Sequence, residues 1–280
     1  MGAIKTQYLD GQYYTKNPSF HVEDSAWKAG YVLKMLAGML CNPSSVAEVG
    51  CGAGEILVQL SSRLPDARFF GYELSPQGYQ LCRQRESARV TYFNDDLLTR
   101  TGERYDLILC IDVLEHVEDY FTFLRTLQEY GSAFIFHIPL DMNAQMVARN
   151  TPMAVRGTAG HLHYFSKDTA LATLEECGYD VRSWFYTPSG ADRPKGAKSK
   201  ALQIPRRASS HNAKHHRQGS WGIFAHGICG RETRPMMAES FETTFSSVNA
   251  GPSTHKSRDE CCKRRRITGR DVPIMVGTLD

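Results

Sequence analysis

The strongest constraint on the fold of this chain is a regular alternation of strand-like and helical segments between residues 45 and 186. The strand-like segments are residues 46–49, 68–73, 90–93, 105–111 and 132–138, and the helical segments are residues 55–63, 76–85, 120–130 and 167–177. Strands separated by helices of about ten residues are typical of βαβ units that build a parallel sheet. Residues 105–111 and 132–138 are almost entirely apolar, which indicates central strands buried on both faces. We therefore expect an α/β sheet with helices on both faces.

The segments on either side of this alternation differ from it in character. Residues 25–40 have the apolar spacing of an amphipathic helix, and Pro43 ends it because proline cannot continue the hydrogen-bond ladder. Residues 1–44 are therefore predicted to be a helical lead-in to a domain that spans residues 45–187. Net charge changes from −6 over residues 1–190 to +9 over residues 191–280, which predicts a separate basic tail over residues 188–280.

The tail has a composition that breaks with the rest of the chain. Beyond residue 208 it is mostly Ser, His, Arg, Gly and Thr, with only short apolar patches such as residues 221–225. We expect it to be irregular and poorly ordered. The simultaneous change in charge, periodicity and composition suggests a shifted reading frame or a replaced tail from about residue 208, which would remove the final antiparallel strand of the sheet.

A glycine-rich segment, residues 47–55 (AEVGCGAGE), follows the first predicted strand and opens the first predicted helix. Glycine lets the backbone turn tightly and approach a ligand closely. A dinucleotide fingerprint would read G-x-G-x-x-G and rest a pyrophosphate on the helix N-terminus. Here the spacing is G-x-G-x-G with Glu48 before it and Glu55 after it, and negative charge at this place repels pyrophosphate. A ligand with an ammonium and a sulfonium group fits better, which favours S-adenosyl-L-methionine over NAD.

Acidic residues follow the next predicted strands at the edge where the glycine loop lies. Glu73 closes the second strand, nineteen residues after Gly54, where a carboxylate can accept hydrogen bonds from both ribose hydroxyls. Asp95 and Asp96 close the third strand, and either could accept from an adenine amino group or cap a turn. Asp112 follows the fourth strand at the same rim. Ligands of open parallel sheets bind in the crevice beyond these strand ends.

The segments EVGCGAG, YELS, NDDLL and YDLILCIDVLEHV resemble successive motifs of class I S-adenosylmethionine-dependent methyltransferases. The resemblance is closest to the small-molecule group that includes ubiquinone O-methyltransferases, and it covers roughly residues 40–187. It implies a Rossmann-like sheet, S-adenosyl-L-methionine as cofactor and a small-molecule methyl acceptor. It also implies cofactor contacts to a set of residues at the strand ends: Gly50, Gly52 and Gly54 at the methionine portion with Glu48 nearby, Glu73 at the ribose, Asp96 near adenine and Asp112 beside the cofactor.

Three histidines are candidates for a general base or for metal ligands: His116, His161 and His163. His116 follows the fourth strand and could accept a proton from a hydroxyl or amine nucleophile. Alternatively, Glu115 and His116 start the next helix and hold the loop by hydrogen bonds. His161 and His163 alternate, so an extended segment would place them on one face. They could form a metal pair, but no third ligand with suitable spacing is evident in the sequence, so a structural role is favoured, substrate contact comes next, and we expect no metal.

Other functional classes are less well supported. The basic run at residues 263–266 (KRRR) could serve a nucleic-acid methyltransferase, but no aromatic residues interleave it and no N-P-P-Y motif follows the fourth strand. A non-catalytic module that only binds S-adenosylmethionine is a further alternative. No apolar run is long enough for a membrane helix, no secretion signal is evident, and the cysteines lack CxxC pairs. These features predict a cytoplasmic protein.

Overall fold

A computed structural model of the chain describes residues 8–39, 42–187 and 222–229. Its strands are β1 (Ser45–Val49), β2 (Arg68–Tyr72), β3 (Val90–Phe93), β4 (Tyr105–Ile111), β5 (Gly131–Pro139), β6 (Tyr179–Thr187) and β7 (Gly222–Cys229). Its α-helices are α1 (Gln12–Lys16), α2 (Ser25–Met39), α3 (Glu55–Ser61), α4 (Pro76–Arg83), α5 (Tyr120–Leu127), α6 (Ala144–Ala148), α7 (Thr151–Thr158) and α8 (Lys167–Glu176). Short 3₁₀ turns include Val22–Asp24, Leu97–Thr99, Leu114–His116 and Gln128–Tyr130.

The described strands form one seven-stranded sheet in the order β3-β2-β1-β4-β5-β7-β6. The pairs from β3 to β5 are parallel, and β7 pairs antiparallel with both β5 and β6. The chain leaves β1 toward β2 and β3 on one side, then returns to place β4 on the other side of β1. This reversal opens a crevice at the carboxyl ends of β1 and β4, where such sheets bind ligands. The predicted α/β class and its parallel core are confirmed.

Two cores cover the two faces of the sheet. Leu107 and Leu109 of β4 point into the core built with α2 and α3, whereas Ile108 and Cys110 point into the core built with α5 and α8. All four residues are at most 2% exposed. Successive strand residues face opposite sides, so a strand buried on both faces is apolar throughout. The nearly unbroken apolar run of β4 therefore reported its central position correctly.

Strand β7 corrects the prediction of an irregular tail for residues 222–229, and the rest of the predicted tail lies outside the described residues. Residues Gly222–Cys229 lie within the segment predicted to be irregular and frame-shifted, yet they pair along their length with β5 and β6. Ile223, Phe224 and Ala225 are fully buried. The expectation that the final antiparallel strand is missing is therefore wrong. Because β7 lies between two strands and carries apolar residues on both faces, it shows no alternating pattern, and a short apolar run of this kind does not by itself indicate a strand.

The chain divides into two compact units, Met1–Met236 and Met237–Asp280. Every described residue belongs to the first unit, which combines the N-terminal helices, the sheet and β7. The basic run at residues 263–266 lies outside the described residues. In the part of the chain that the structure describes, no helix has the length and apolar character needed to cross a bilayer.

Candidate functional site

A cavity of about 650 Å³ opens at the carboxyl ends of the parallel strands. Most of the predicted site residues line it: Glu48, Gly50, Gly52, Glu73, Asp95, Asp96, Asp112 and His116. Residues of the N-terminal segment, including Tyr8, Tyr13 and Lys28, also line the cavity. The fold therefore brings side chains from five strand ends and the lead-in to one enclosed space. Gly54 is not among the lining residues.

The glycine loop between β1 and α3 needs its glycines for two separate reasons. Gly50 and Gly52 have φ values of 66° and 54°, a left-handed conformation that other residues adopt at a cost. A Cβ on Gly50 would also stand 2.8 Å from a methyl carbon of Val113. The loop backbone consequently lies bare against the cavity, where a ligand can approach it closely.

Gly54 has a structural position at the start of α3, and its predicted contact with the cofactor stays a prediction. It is the N-cap residue of α3, with a φ of 78°. A Cβ there would lie 2.6 Å from the ring of Tyr92 and 2.7 Å from Cβ of Cys82. The Tyr92 hydroxyl donates a hydrogen bond of 2.6 Å to the Gly54 carbonyl. Gly54 thus allows α3 to pack closely against Tyr92 and Cys82 where the glycine loop ends.

Glu73 joins the end of β2 to the glycine loop. One carboxylate oxygen accepts from the Gly52 backbone N–H at 2.7 Å, and the other accepts from the Ser75 N–H at 2.8 Å. The side chain is only 5% exposed. Burial raises the pKa of Glu73, and the backbone donors of Ser75 and Gly52 act against that rise. Each oxygen keeps further acceptor capacity toward the cavity, since a carboxylate offers about four lone-pair sites.

Glu48 is a buried acidic group of the cavity wall. It lies at the carboxyl end of β1 and is 2% exposed, and its Oε2 has no hydrogen-bond partner. Burial raises the pKa of Glu48 to about 8, although the charge of Lys28 acts in the opposite direction. Buried polar atoms are nearly always paired in proteins. An unpaired carboxyl oxygen beside a bare glycine loop indicates a site for a positively charged donor.

Asp112 lies directly beyond β4 in a strained conformation, with a φ of 54°. Lys28 from α2 forms an ion pair with one carboxylate oxygen at 2.7 Å, and His137 from β5 contacts the other. Burial acts to raise the pKa of Asp112, but His137 and Lys28 outweigh it and hold the pKa well below its usual range. Asp112 therefore carries a negative charge that the protein itself already partners.

Asp95 and Asp96 sit at the rim after β3. Asp96 caps the 3₁₀ turn Leu97–Thr99, accepting from the Leu98 N–H at 3.1 Å. Asp95 accepts from the Asp96 N–H at 2.8 Å and pairs with Arg100 at 3.2 Å. The capping role that competed with adenine binding is thus present, while both residues still border the cavity.

His116 faces the cavity from the 3₁₀ turn after β4. Its Nδ1 lies 3.2 Å from the Gly160 carbonyl, so this nitrogen is the donor and Nε2 carries the lone pair. Burial lowers the pKa of His116 to about 4, with a further contribution from His161. The imidazole is therefore neutral at physiological pH.

His161 and His163 have separate surroundings instead of forming the predicted pair on one face. His161 contacts Asp141 at 2.6 Å and His116 at a ring-centroid distance of 4.9 Å. His163 packs its ring against Tyr120 at 4.7 Å.

Several functional candidates escaped the sequence analysis. Lys28, His137 and Asp141 line the cavity in addition to the predicted residues. Each acquires its importance from a partner far away in the chain, such as Asp112 for Lys28 and His161 for Asp141. No local motif marks them, and only their shared place at the strand ends connects them with the glycine loop.

Comparisons with known proteins agree with this geometry. Residues 28–183, more than half of the chain, match a family model described as "Methyltransferase domain". A ubiquinone biosynthesis O-methyltransferase of Bordetella avium is 25% identical over 180 residues, which cover 56% of this chain and 71% of that protein. An (S)-coclaurine N-methyltransferase of Papaver somniferum is 25% identical over 135 residues, which cover 45% of this chain and 38% of that protein.

A solved structure shows the same architecture. The magnesium protoporphyrin IX methyltransferase of Synechocystis, crystallised with bound S-adenosylhomocysteine, aligns with a TM-score of 0.55 at 15% identity. The alignment covers 80% of this chain and 99% of that structure. At this identity the likeness concerns the fold.

Proposed function

The chain belongs to the methyltransferase domain family, and on that premise we propose that it transfers the methyl group of S-adenosyl-L-methionine to a heteroatom of a small-molecule acceptor. The observation that carries this proposal is the unpaired, buried oxygen of Glu48 beside the bare backbone of Gly50 and Gly52. An ammonium group next to Glu48 would satisfy that oxygen. A pyrophosphate in the same place would meet a carboxylate.

The neighbouring groups fit the remaining parts of this cofactor. Glu73 turns its carboxylate to the cavity with acceptor capacity for ribose hydroxyls, while its bonds to Gly52 and Ser75 hold it in place. Asp95 and Asp96 stand farther along the same rim, where an adenine amino group would need an acceptor. Asp112, held by Lys28, completes the wall at β4. These assignments follow the order of the strands and the chemistry of each side chain.

The cofactor, when bound, supplies a methyl group already activated by a sulfonium. The work left to the protein is therefore to align an acceptor and to exclude water. The N-terminal segment contributes to this, because Tyr8 and Tyr13 line the cavity and place their rings 6.0 Å and 6.3 Å from that of His116. His116 directs the neutral Nε2 of its ring away from the Gly160 carbonyl, which suits it to accept a proton from the nucleophile.

The acceptor is proposed from analogy and from the shape of the site. The relatives named above include an O-methyltransferase and an N-methyltransferase, each named for a small molecule. Among the described residues that line the cavity, aromatic and acidic side chains predominate and Lys28 alone is a lysine or arginine, which favours a compact acceptor over a nucleic acid.

The decisive test is calorimetric titration of S-adenosylhomocysteine into the full chain and into two variants. Glu73→Ala removes the predicted ribose acceptor, and Glu129→Ala removes an exposed carboxylate outside the cavity. We expect one-site binding by the wild-type chain, at least tenfold weaker binding by Glu73→Ala and unchanged binding by Glu129→Ala. Circular dichroism establishes that each sample is folded. A folded wild-type chain without binding would overturn the proposal.

A further inference from the structure

Three possible metal ligands meet in the cavity wall beyond the proposed cofactor contacts. Glu115, His116 and His161 each bring a ligand atom to within 4.8 Å of the other two. The Oε1 atom of Glu115 lies 3.7 Å from Nε2 of His116. Glu115 and His116 come from the turn after β4, whereas His161 comes from the stretch between α7 and α8.

The buried carboxyl group of Glu115 lacks hydrogen-bond donors. It is 1% exposed, and neither carboxylate oxygen has a hydrogen-bond partner. Its backbone carbonyl, by contrast, accepts from the N–H groups of Leu162 and His163. A buried carboxyl without a donor is rare in folded proteins, because its desolvation is left uncompensated. Glu115 therefore marks a place where a donor or a cation is needed.

The two histidines present their lone pairs in the manner of metal ligands. Nδ1 of His161 lies 2.6 Å from the Asp141 carboxylate, and Nδ1 of His116 lies 3.2 Å from the Gly160 carbonyl. These contacts assign the ring proton to Nδ1, so each Nε2 is free of a proton. A carboxylate or carbonyl behind the imidazole is the usual outer-shell arrangement of a metal-binding histidine. Asp141 is itself only 7% exposed, which suits this supporting role.

We infer that Glu115, His116 and His161 bind a divalent transition-metal cation, with Zn²⁺ as the preferred ion. Two imidazole nitrogens and one carboxylate oxygen form a known zinc ligand set that leaves one coordination position open. Metal–ligand bonds of about 2.0–2.2 Å place tetrahedral ligands roughly 3.4 Å apart. The observed 3.7 Å between Glu115 and His116 approaches that separation closely.

This inference revises the expectation that no metal binds. The sequence suggested His161 and His163 as a pair without a third ligand, and the fold replaces His163 with Glu115 and His116. Asp112 is excluded from the ligand set because Lys28 and His137 already hold it. The Nε2 lone pair of His116 cannot bind a cation and accept a proton at once, so zinc binding would remove it as the general base.

The test uses the full chain after chelator treatment and dialysis, with Zn²⁺ as the probe in calorimetry. We expect one equivalent of Zn²⁺ for the wild-type chain and for His163→Ala, which removes a neighbouring imidazole outside the cluster. Asp141→Asn is expected to weaken zinc binding about 10–100-fold, because Asp141 contacts and orients the proposed ligand His161. Glu115→Gln and His161→Ala lose a ligand itself and are expected to weaken it by more than about 100-fold. Mg²⁺, which prefers oxygen ligands, should not compete.

Two further measurements keep the result decisive. Circular dichroism shows whether each variant is folded, and S-adenosylhomocysteine titrated into the same samples separates failure of the cation site from failure of the proposed methyl transfer. The absorption spectrum of Co²⁺ bound in place of Zn²⁺ distinguishes the ligand types. Thiolate ligands add intense near-ultraviolet charge-transfer bands, whereas nitrogen and oxygen ligands do not. The inference is overturned by a cofactor-binding chain that takes up no zinc, by Glu115→Gln and His161→Ala variants that bind zinc like the wild type, or by a thiolate spectrum.

Discussion

The carboxylate of Glu73 holds the backbone N–H of Gly52 at a distance of 2.7 Å. This single contact connects the end of β2 with the glycine loop that follows β1. The same carboxylate faces the cavity. The shape of the loop and the proposed ribose contact therefore depend on one side chain, and a change there is expected to affect both stability and ligand binding.

Glu73→Gln tests this double role. The amide keeps the shape of the side chain, but its NH₂ group must face the N–H of either Gly52 or Ser75, so that one donor loses its acceptor. We expect a loss of about 1–3 kcal/mol in the free energy of unfolding, measured by urea titration. Glu129→Gln, on an exposed residue, is the matched control. Equal unfolding free energies in the two variants would contradict the assigned contact.

Glu48→Gln tests the raised pKa of about 8 at Glu48. An unfolded glutamate titrates near pH 4.3. The folded pKa is the higher one, so the contribution of Glu48 to stability is complete below about pH 4.3 and is lost as the pH rises through about 8. We expect the wild-type unfolding free energy to fall relative to Glu48→Gln across this window, by at most about 1.4 kcal/mol per pH unit. Parallel pH profiles for the two proteins would show that Glu48 is not buried as described.

Gly54→Ala separates backbone strain from packing. Gly54 and Gly102 both have a positive φ, but a Cβ would overlap Tyr92 and Cys82 at Gly54 and would meet nothing within 4 Å at Gly102. In both alanine variants the left-handed conformation lowers the free energy of unfolding by roughly 1–2 kcal/mol. In Gly54→Ala the overlap should lower the free energy of unfolding by about 1–3 kcal/mol more. Thermal or urea unfolding of both variants measures the difference, and equal costs would refute the close packing at the start of α3.

Lys28→Met tests the ion pair with Asp112. Removing the cation leaves a largely buried carboxylate with His137 alone, and we expect a loss of roughly 3 kcal/mol. The folded pKa of Asp112 is lowered, so the stability it provides is complete above the unfolded value of about 3.9 and is lost as the pH falls below it. The double variant Lys28→Met/Asp112→Asn should be more stable than the sum of the single effects predicts. Strict additivity in this cycle would argue against the pair. Lys34→Met, an exposed lysine on the same helix, is the control.

Phe224→Ala tests the position of β7. Phe224 is fully buried and packs on His137 and Tyr31, with ring centroids 4.6 Å and 5.8 Å away. Truncation of such a residue costs about 3–5 kcal/mol. Trp184→Ala on the edge strand β6, where the side chain is 40% exposed, should cost clearly less. If urea unfolding shows the opposite order, β7 does not lie inside the sheet between β5 and β6.

The sequence alone determined the class of the fold and much of the cavity wall. The apolar run of β4 reported a strand buried on both faces, because successive residues must point to opposite sides. Glu48, Glu73 and Asp112 were placed together correctly at the cavity, because parallel strands end at the same edge of a sheet. These inferences needed only local periodicity and the direction of the chain.

Tertiary structure decided what depends on partners distant in the chain. Strand β7 inserts between β5 and β6. A short apolar run in the sequence does not indicate which strands it will pair with. Lys28 neutralises Asp112, and His161 joins Glu115 and His116, across separations that no local motif encodes. Burial also sets the charge state of Glu48, since the cost of an ion depends on all the atoms that exclude water from it. Local patterns thus specified the elements and the edge where they meet, while long-range packing selected the pairings and charges there.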